Sequence, residues 1–314
     1  MNARINFFAM LLLIVTGLSA QNTELKNIPV APPDCKNNPI FMQNLPGINP
    51  SKAAISTIEK QKRGLVIVEL QSPQDPHSLR TNTYQDPTWD DAGYLGAFAL
   101  DYEGNIYTIP APVVSVLYNP QADQNTIYQV SSKTAELKPF LQIPHLAPDD
   151  TYNPSNPYGL LGIFYDCDNH SLYATTVFGS DAQKEIGKIV HIDIATKQIT
   201  DQLQNLDPFG LAIARSTGEK RLYYGKARSG DVYSLSLDSN GNFIGQPRFE
   251  FSIEGLGQRG DDRVRRIKPL PNGDILVYGL EFYYNLTAPT EKPETIYHFF
   301  YDFQQKKWRL LGFE

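Results

Sequence analysis

The chain has 314 residues, with 28 lysines and arginines against 34 aspartates and glutamates, a net charge of −6. That balance counts against a nucleic-acid partner, which requires a basic surface, so none is expected. Aromatics at 11%, together with 22 glycines and 23 prolines, suit many short strands joined by tight turns.

Residues 1–20 read as a secretory signal. Arg4 gives a positive n-region, Phe7 to Val15 an apolar core, and Gly17-Leu-Ser-Ala20 a small-residue stretch before Gln21. No later apolar run approaches the roughly 20 residues a membrane span needs. The expected product is a secreted or periplasmic monomer without a span. Residues 21–45 read as an extended, Pro- and Asn-rich lead-in. Its stretch Pro39-Ile-Phe-Met-Gln-Asn-Leu45 looks like a closing strand that would pair with C-terminal strands and latch a ring. The remaining 46–314 read as a single domain.

Within that domain one pattern recurs: an apolar strand, a polar turn, and a second strand opening on Leu-Tyr or Ile-Tyr. It runs from Gly96 to Thr108, from Gly162 to Ala174, from Gly210 to Tyr224 and, more loosely, from Arg266 to Tyr278. β-Rich repeats near 50 residues mark propellers. A weak first unit predicts strands at Ala53–Ile58 and Gly64–Leu70. The second predicts Tyr94–Leu100, Asn105–Ile109, Asn125–Val130 and Leu137–Ile143. The third opens near Pro157 and continues through Leu172–Val177, Lys188–Ile194 and Gln198–Gln204. The fourth opens near Pro208, with Arg221–Gly225, Asp231–Leu237 and Arg248–Ile253. The fifth opens near Asp262, with Ile275–Tyr283, Thr295–Phe303 and Trp308–Phe313. Turns such as Glu103-Gly104-Asn105, Asn240-Gly241 and Asn272-Gly273 supply the positive φ that hairpins need.

Phe209-Gly-Leu-Ala-Ile-Ala, Arg221-Leu-Tyr-Tyr-Gly and Gly230-Asp-Val-Tyr-Ser-Leu resemble a blade of the gluconolactonase, regucalcin and strictosidine-synthase-like superfamily. Phe98-Ala-Leu-Asp-Tyr-Glu-Gly-Asn-Ile-Tyr107 is similar to NHL-type blades. The likeness spans about 91 to 283 and implies an all-β propeller of four-stranded blades. Five units are countable, and the resemblance favours six. Lactonases of this kind hold a central divalent cation on Asn or Asp placed just before the Gly of an inner strand. Here Tyr158 and Phe209 stand there, leaving Asp262, Asp91 and Asn156 as candidate ligands. Calcium is therefore disfavoured, and no cofactor is expected.

Loops converging over the funnel bring together Trp89, Asp91, Asn156, Tyr158, Phe209, Lys226, Arg228, Asp262, Arg263 and Glu281. Aromatics with mixed charges suit a polar organic ligand such as a sugar or an acidic small molecule. The plainer reading is that the aspartates cap turns and the rings fill gaps between blades. Strand alternation would send Arg263 and Arg265 to one side, as an anion site or as ion-pair partners of Asp261 and Asp262. The five histidines are scattered without zinc spacing, and no G-x-S-x-G elbow occurs. Cys35 and Cys167 are either a disulfide stapling the tail to a blade or two free thiols. Asn285-Leu-Thr287 is a glycosylation sequon. The leading expectation is an exported binding or scaffold protein with a small-molecule or protein partner. The alternative is a lactonase-like hydrolase with a degenerate metal centre.

Overall fold

The computed structural model describes residues 36–57, 62–72, 75, 78–112, 115–144, 156–285 and 293–314. The signal segment, Cys35 and Thr287 lie outside the described residues. Those described form five antiparallel sheets arranged as the blades of a β-propeller. The first has three strands, β1 (Ala53–Ser56), β2 (Val66–Leu70) and β3 (Arg80–Tyr84). The second holds β4 (Leu95–Leu100), β5 (Ile106–Pro110), β6 (Thr126–Val130) and β7 (Leu137–Gln142). The third holds β8 (Leu160–Asp166), β9 (Ser171–Thr176), β10 (Lys188–Asp193) and β11 (Gln198–Gln204). The fourth holds β12 (Pro208–Ala214), β13 (Arg221–Lys226), β14 (Asp231–Leu237) and β15 (Phe243–Ser252). The fifth holds β16 (Arg263–Pro269), β17 (Ile275–Leu280), β18 (Thr295–Asp302) and β19 (Lys307–Phe313).

The inner strands β4, β8, β12 and β16 belong to four different sheets and pack against one another in succession. A strand covered on both faces carries an unbroken apolar run rather than alternation. Thus all seven residues of β12, Pro-Phe-Gly-Leu-Ala-Ile-Ala, are buried, whereas the outermost β11 alternates between exposed and half-buried. The Leu-Tyr and Ile-Tyr repeat also has a physical cause. Tyr107, Tyr173 and Tyr223 are fully buried between blades, and each hydroxyl reaches a turn: Asp101 Oδ2, the Gly241 carbonyl and Thr217 Oγ1 respectively. Burying one such ring contributes about 2–3 kcal/mol, provided its hydroxyl is bonded. Gly104, Gly241 and Gly273 have φ of +81°, +86° and +94°, as their turns demand.

The first blade departs from the other four. Before a third strand, the backbone of one blade meets the entrance to the next. Leu160 N–H donates to Gln124 C=O at 2.8 Å, and Leu206 N–H to Gly187 C=O at 3.2 Å. Gly64, just before β2, meets the entrance to the second blade at the corresponding place with the bond reversed: its N–H donates to Gly93 C=O at 2.6 Å, and it pairs with Tyr94. By this correspondence β2 is a third strand, and β1 and β3 are the second and fourth. No strand among the described residues occupies the inner position of the first blade.

The stretch predicted as a latching strand is instead a 3-10 helix, Ile40–Asn44, opened by Pro39. It packs under the second blade, where Phe41 N–H donates to Ser132 C=O at 2.8 Å and the Phe41 ring meets Trp89 edge-on at 5.9 Å. Burying Phe41 and Met42 side by side suits a helical turn, since a strand would send them to opposite faces. The fifth blade draws its fourth strand, β19, from its own hairpin, and Glu314 pairs with Ile296.

A candidate aromatic mouth

Loops entering the inner strands and loops after the second strands share one end of the propeller. There Phe282 is the hub of a ring cluster, 5.1 Å from Tyr158, 4.9 Å from Phe209 and 5.5 Å from Tyr284. Val177, Leu161 and Ala227 pack beneath. Phe209 is buried, while Tyr158, Phe282 and Tyr284 are half-buried and Tyr283 is exposed, so the cluster presents ring surface to solvent. Burial pushes the Tyr158 hydroxyl up to about 12, keeping it a neutral donor.

A buried carboxylate anchors the wall. Asp207 Oδ1 accepts from Ser180 Oγ at 2.5 Å and Gly187 N–H at 3.2 Å, and Oδ2 accepts from Arg228 Nε at 2.7 Å and the Tyr284 hydroxyl. Arg228 also donates to the carbonyls of Asp181, Ala182 and Lys184 and lies 5.1 Å over the Tyr284 ring. Burial and the bond to Asp207 both raise the Tyr284 pKa. Lys226 pairs with Glu185 at 3.0 Å. Burial would raise the Glu185 carboxyl, but Lys226 and the Asp207 N–H together hold it below the usual range.

Of the residues expected at the funnel, Tyr158 and Phe209 meet in the ring cluster and Arg228 borders it. Lys226 sits in the adjoining ion pair. Asn156 is fully buried as a loop clamp: Nδ2 donates to Val177 and Ser180 carbonyls, each at 2.8 Å, and Oδ1 accepts from Tyr158 N–H. Asp262 is likewise buried, bonded to Arg259 Nε at 2.7 Å and the Tyr297 hydroxyl at 2.8 Å. Glu281 is half-buried near Arg259, and the two interact electrostatically. Asp91 is exposed. Trp89 lies elsewhere, fully buried between the first two blades with its Nε1 donating to Ala135 C=O at 2.6 Å. Arg263 NH1 donates to the carbonyls of Asp261 and Asp262, not to their carboxylates. The sequence reading passed over Phe282, Ser180 and Glu185. An aromatic triplet, Phe282-Tyr-Tyr284, directly after a second strand was the available signal.

Two turns rich in oxygen side chains, Asp166-Cys-Asp-Asn169 and Asp238-Ser-Asn-Gly241, spend aspartate oxygens on protein partners. Asp238 Oδ1 accepts from the N–H groups of Asn240 and Asn242, each at 2.8 Å. Asp166 is salt-bridged to Lys220 at 2.6 Å. Cys167, in that same turn, is disulfide-bonded.

No family model matches the sequence, and no curated protein is significantly similar to it. Solved structures with similar blades include a calcium-binding protein, regucalcin, from Agrobacterium tumefaciens (13% identity, 85% of this chain and 71% of that one, TM-score 0.49). A glucose dehydrogenase (13%, 72% of each chain, TM-score 0.39) is also similar. So is the Pseudomonas aeruginosa periplasmic gluconolactonase PpgL (15%, 61% of this chain and 50% of that one, TM-score 0.38). The likeness is one of blade architecture.

Proposed function

We propose that this propeller is an exported binding protein that takes a polar organic ligand, such as a sugar or an acidic small molecule, on its aromatic mouth. The observation that supports the reading is the contrast between rings and oxygens there. Tyr158, Phe282 and Tyr284 offer ring surface, whereas Asn156, Asp207 and Asp262 already spend their oxygens on protein donors. A hard cation needs six to eight oxygens, and these three engaged groups supply too few. A ligand would therefore be held by stacking and by the rim's polar groups.

Thermal-shift measurements with a panel of neutral sugars, sugar acids, lactones and calcium chloride test this. A ligand at 100 times its Kd adds roughly 2.7 kcal/mol, an upward shift of about 5 °C for a domain this size. The shift is expected from an organic ligand and should vanish in Tyr158→Ala/Phe282→Ala. A stoichiometric, low-micromolar calcium site by calorimetry, lost in Asp262→Ala, would instead restore the lactonase-like enzyme.

A further inference from the structure

The inner strand of the last blade carries Arg263, Arg265, Arg266 and Lys268 in a protein whose net charge is −6. Simple alternation would divide these cations between two faces. A β-bulge prevents that: Val264 pairs with Gly279 and Arg266 with Tyr278, leaving Arg265 as the extra residue. Val264 and Ile267 are buried in the core shared with the fourth blade. All four cations consequently lie on the opposite face, where Arg265, Arg266 and Lys268 are exposed. The Arg266 guanidinium carbon lies over the Tyr278 ring, 3.7 Å from its centre, a cation–π contact.

Among the described residues, Arg265 and Arg266 share one carboxylate. Glu294 bridges Arg265 at 3.0 Å and Arg266 at 3.5 Å, one carboxylate against two guanidiniums. Arg263 uses NH1 on backbone carbonyls, and its Nε is buried without a hydrogen-bond partner among the described residues. Such an orphan donor costs stability unless something else satisfies it. The stripe also begins at the mouth. Arg263 pairs with Leu280, and the chain after Leu280 leads directly into Phe282 and Tyr284 of the ring cluster. From Arg263 to Lys268 the strand extends about 16 Å.

We propose that this cationic face reads the carboxylates of an acidic saccharide, a short uronate oligomer whose sugar end stacks on the aromatic mouth. Arginines bind carboxylates in a planar, two-pronged geometry, and a run of them at strand spacing suits repeated charges better than a single anion. Exposed ring faces beside the stripe favour a sugar over an acidic peptide, since pyranose C–H faces cover rings. The assignment rests on the binding role proposed above for the mouth and adds the chemical class of its ligand.

Calorimetry with trigalacturonate, its fully methylated ester and poly-L-glutamate tests it. Trigalacturonate should bind at least tenfold more tightly than the ester, with an affinity that falls as salt rises. Arg265→Gln/Arg266→Gln should remove that tenfold preference while Tyr158→Ala/Phe282→Ala weakens both sugars, and circular dichroism should show both variants folded. Equal binding of acid and ester overturns the cationic reading and leaves the mouth standing. Affinity for both sugars left unchanged by Tyr158→Ala/Phe282→Ala overturns the mouth instead. Failure of both sugars to bind overturns the uronate assignment, while the thermal-shift panel decides the mouth. Poly-L-glutamate binding as tightly as trigalacturonate would make the stripe a surface for acidic peptides and overturn the saccharide assignment.

Discussion

The carboxylate of Asp207 is buried and receives four donors, two of which, Arg228 and Tyr284, come from different loops of the mouth. Its part is to hold those loops, since no lone pair is left facing a substrate in useful geometry. Removing it strands the Arg228 guanidinium beside an emptied site, and breaking one side of a buried ion pair typically costs about 3–5 kcal/mol. Arg228 keeps some solvent access and three backbone carbonyls, so Asp207→Ala should fall near the lower figure. Tyr284→Phe deletes a single donor and should cost about 1 kcal/mol. Urea unfolding of the two variants measures both, and a loss below about 1 kcal/mol for Asp207→Ala would refute the clamp. In the sequence, Asp207 is one acidic residue among many near a strand end. Nothing in a linear pattern tells a free oxygen from one already bonded, because the donors Ser180, Gly187, Arg228 and Tyr284 are scattered over more than a hundred residues.

At the level of elements the strands were legible and the connections between the ends were not. Alternation and turn chemistry repeat in every blade, so strands such as Arg221–Lys226 and Asp231–Leu237 fall where the pattern puts them. Pro39-Ile-Phe-Met-Gln-Asn-Leu45 carries the same apolar density as a closing strand, yet its docking site between Trp89 and Ser132 selects a 3-10 turn. The bulge at Arg265 was also invisible, since one extra residue in a strand leaves composition unchanged. The lead-in approaches the third blade, where Lys36 Nζ sits 5.3 Å over the Phe164 ring. Cys167 lies in the turn that closes the strand bearing Phe164. These neighbours make Cys35 the expected partner of Cys167. Non-reducing peptide mapping should recover the Cys35–Cys167 cross-link, and Cys35→Ser/Cys167→Ser should lose about 2–5 kcal/mol, as expected for a bridge closing a long loop. Two titratable thiols in the native, unreduced protein would exclude it.

For the whole molecule, the first blade sets the behaviour of the ring. The repeat made a propeller evident, and its five countable units are the five blades, the weak first unit being the one that differs from the rest. The described residues form five blades, and in the first of them β1, β2 and β3 hold the second, third and fourth positions. Among the described residues one edge of β1 has no partner strand, and unpaired edges invite association with other chains. β1 (Ala53–Ser56) therefore depends on β2 alone for its ladder, whereas β13 (Arg221–Lys226), a second strand in its own blade, is paired with β12 on one edge and β14 on the other. Amide hydrogen exchange should be faster in Ala53–Ser56 than in Arg221–Lys226, because a strand held along one edge opens at lower cost than one held along both. Protection in Ala53–Ser56 equal to that of Arg221–Lys226 would refute the unpaired edge.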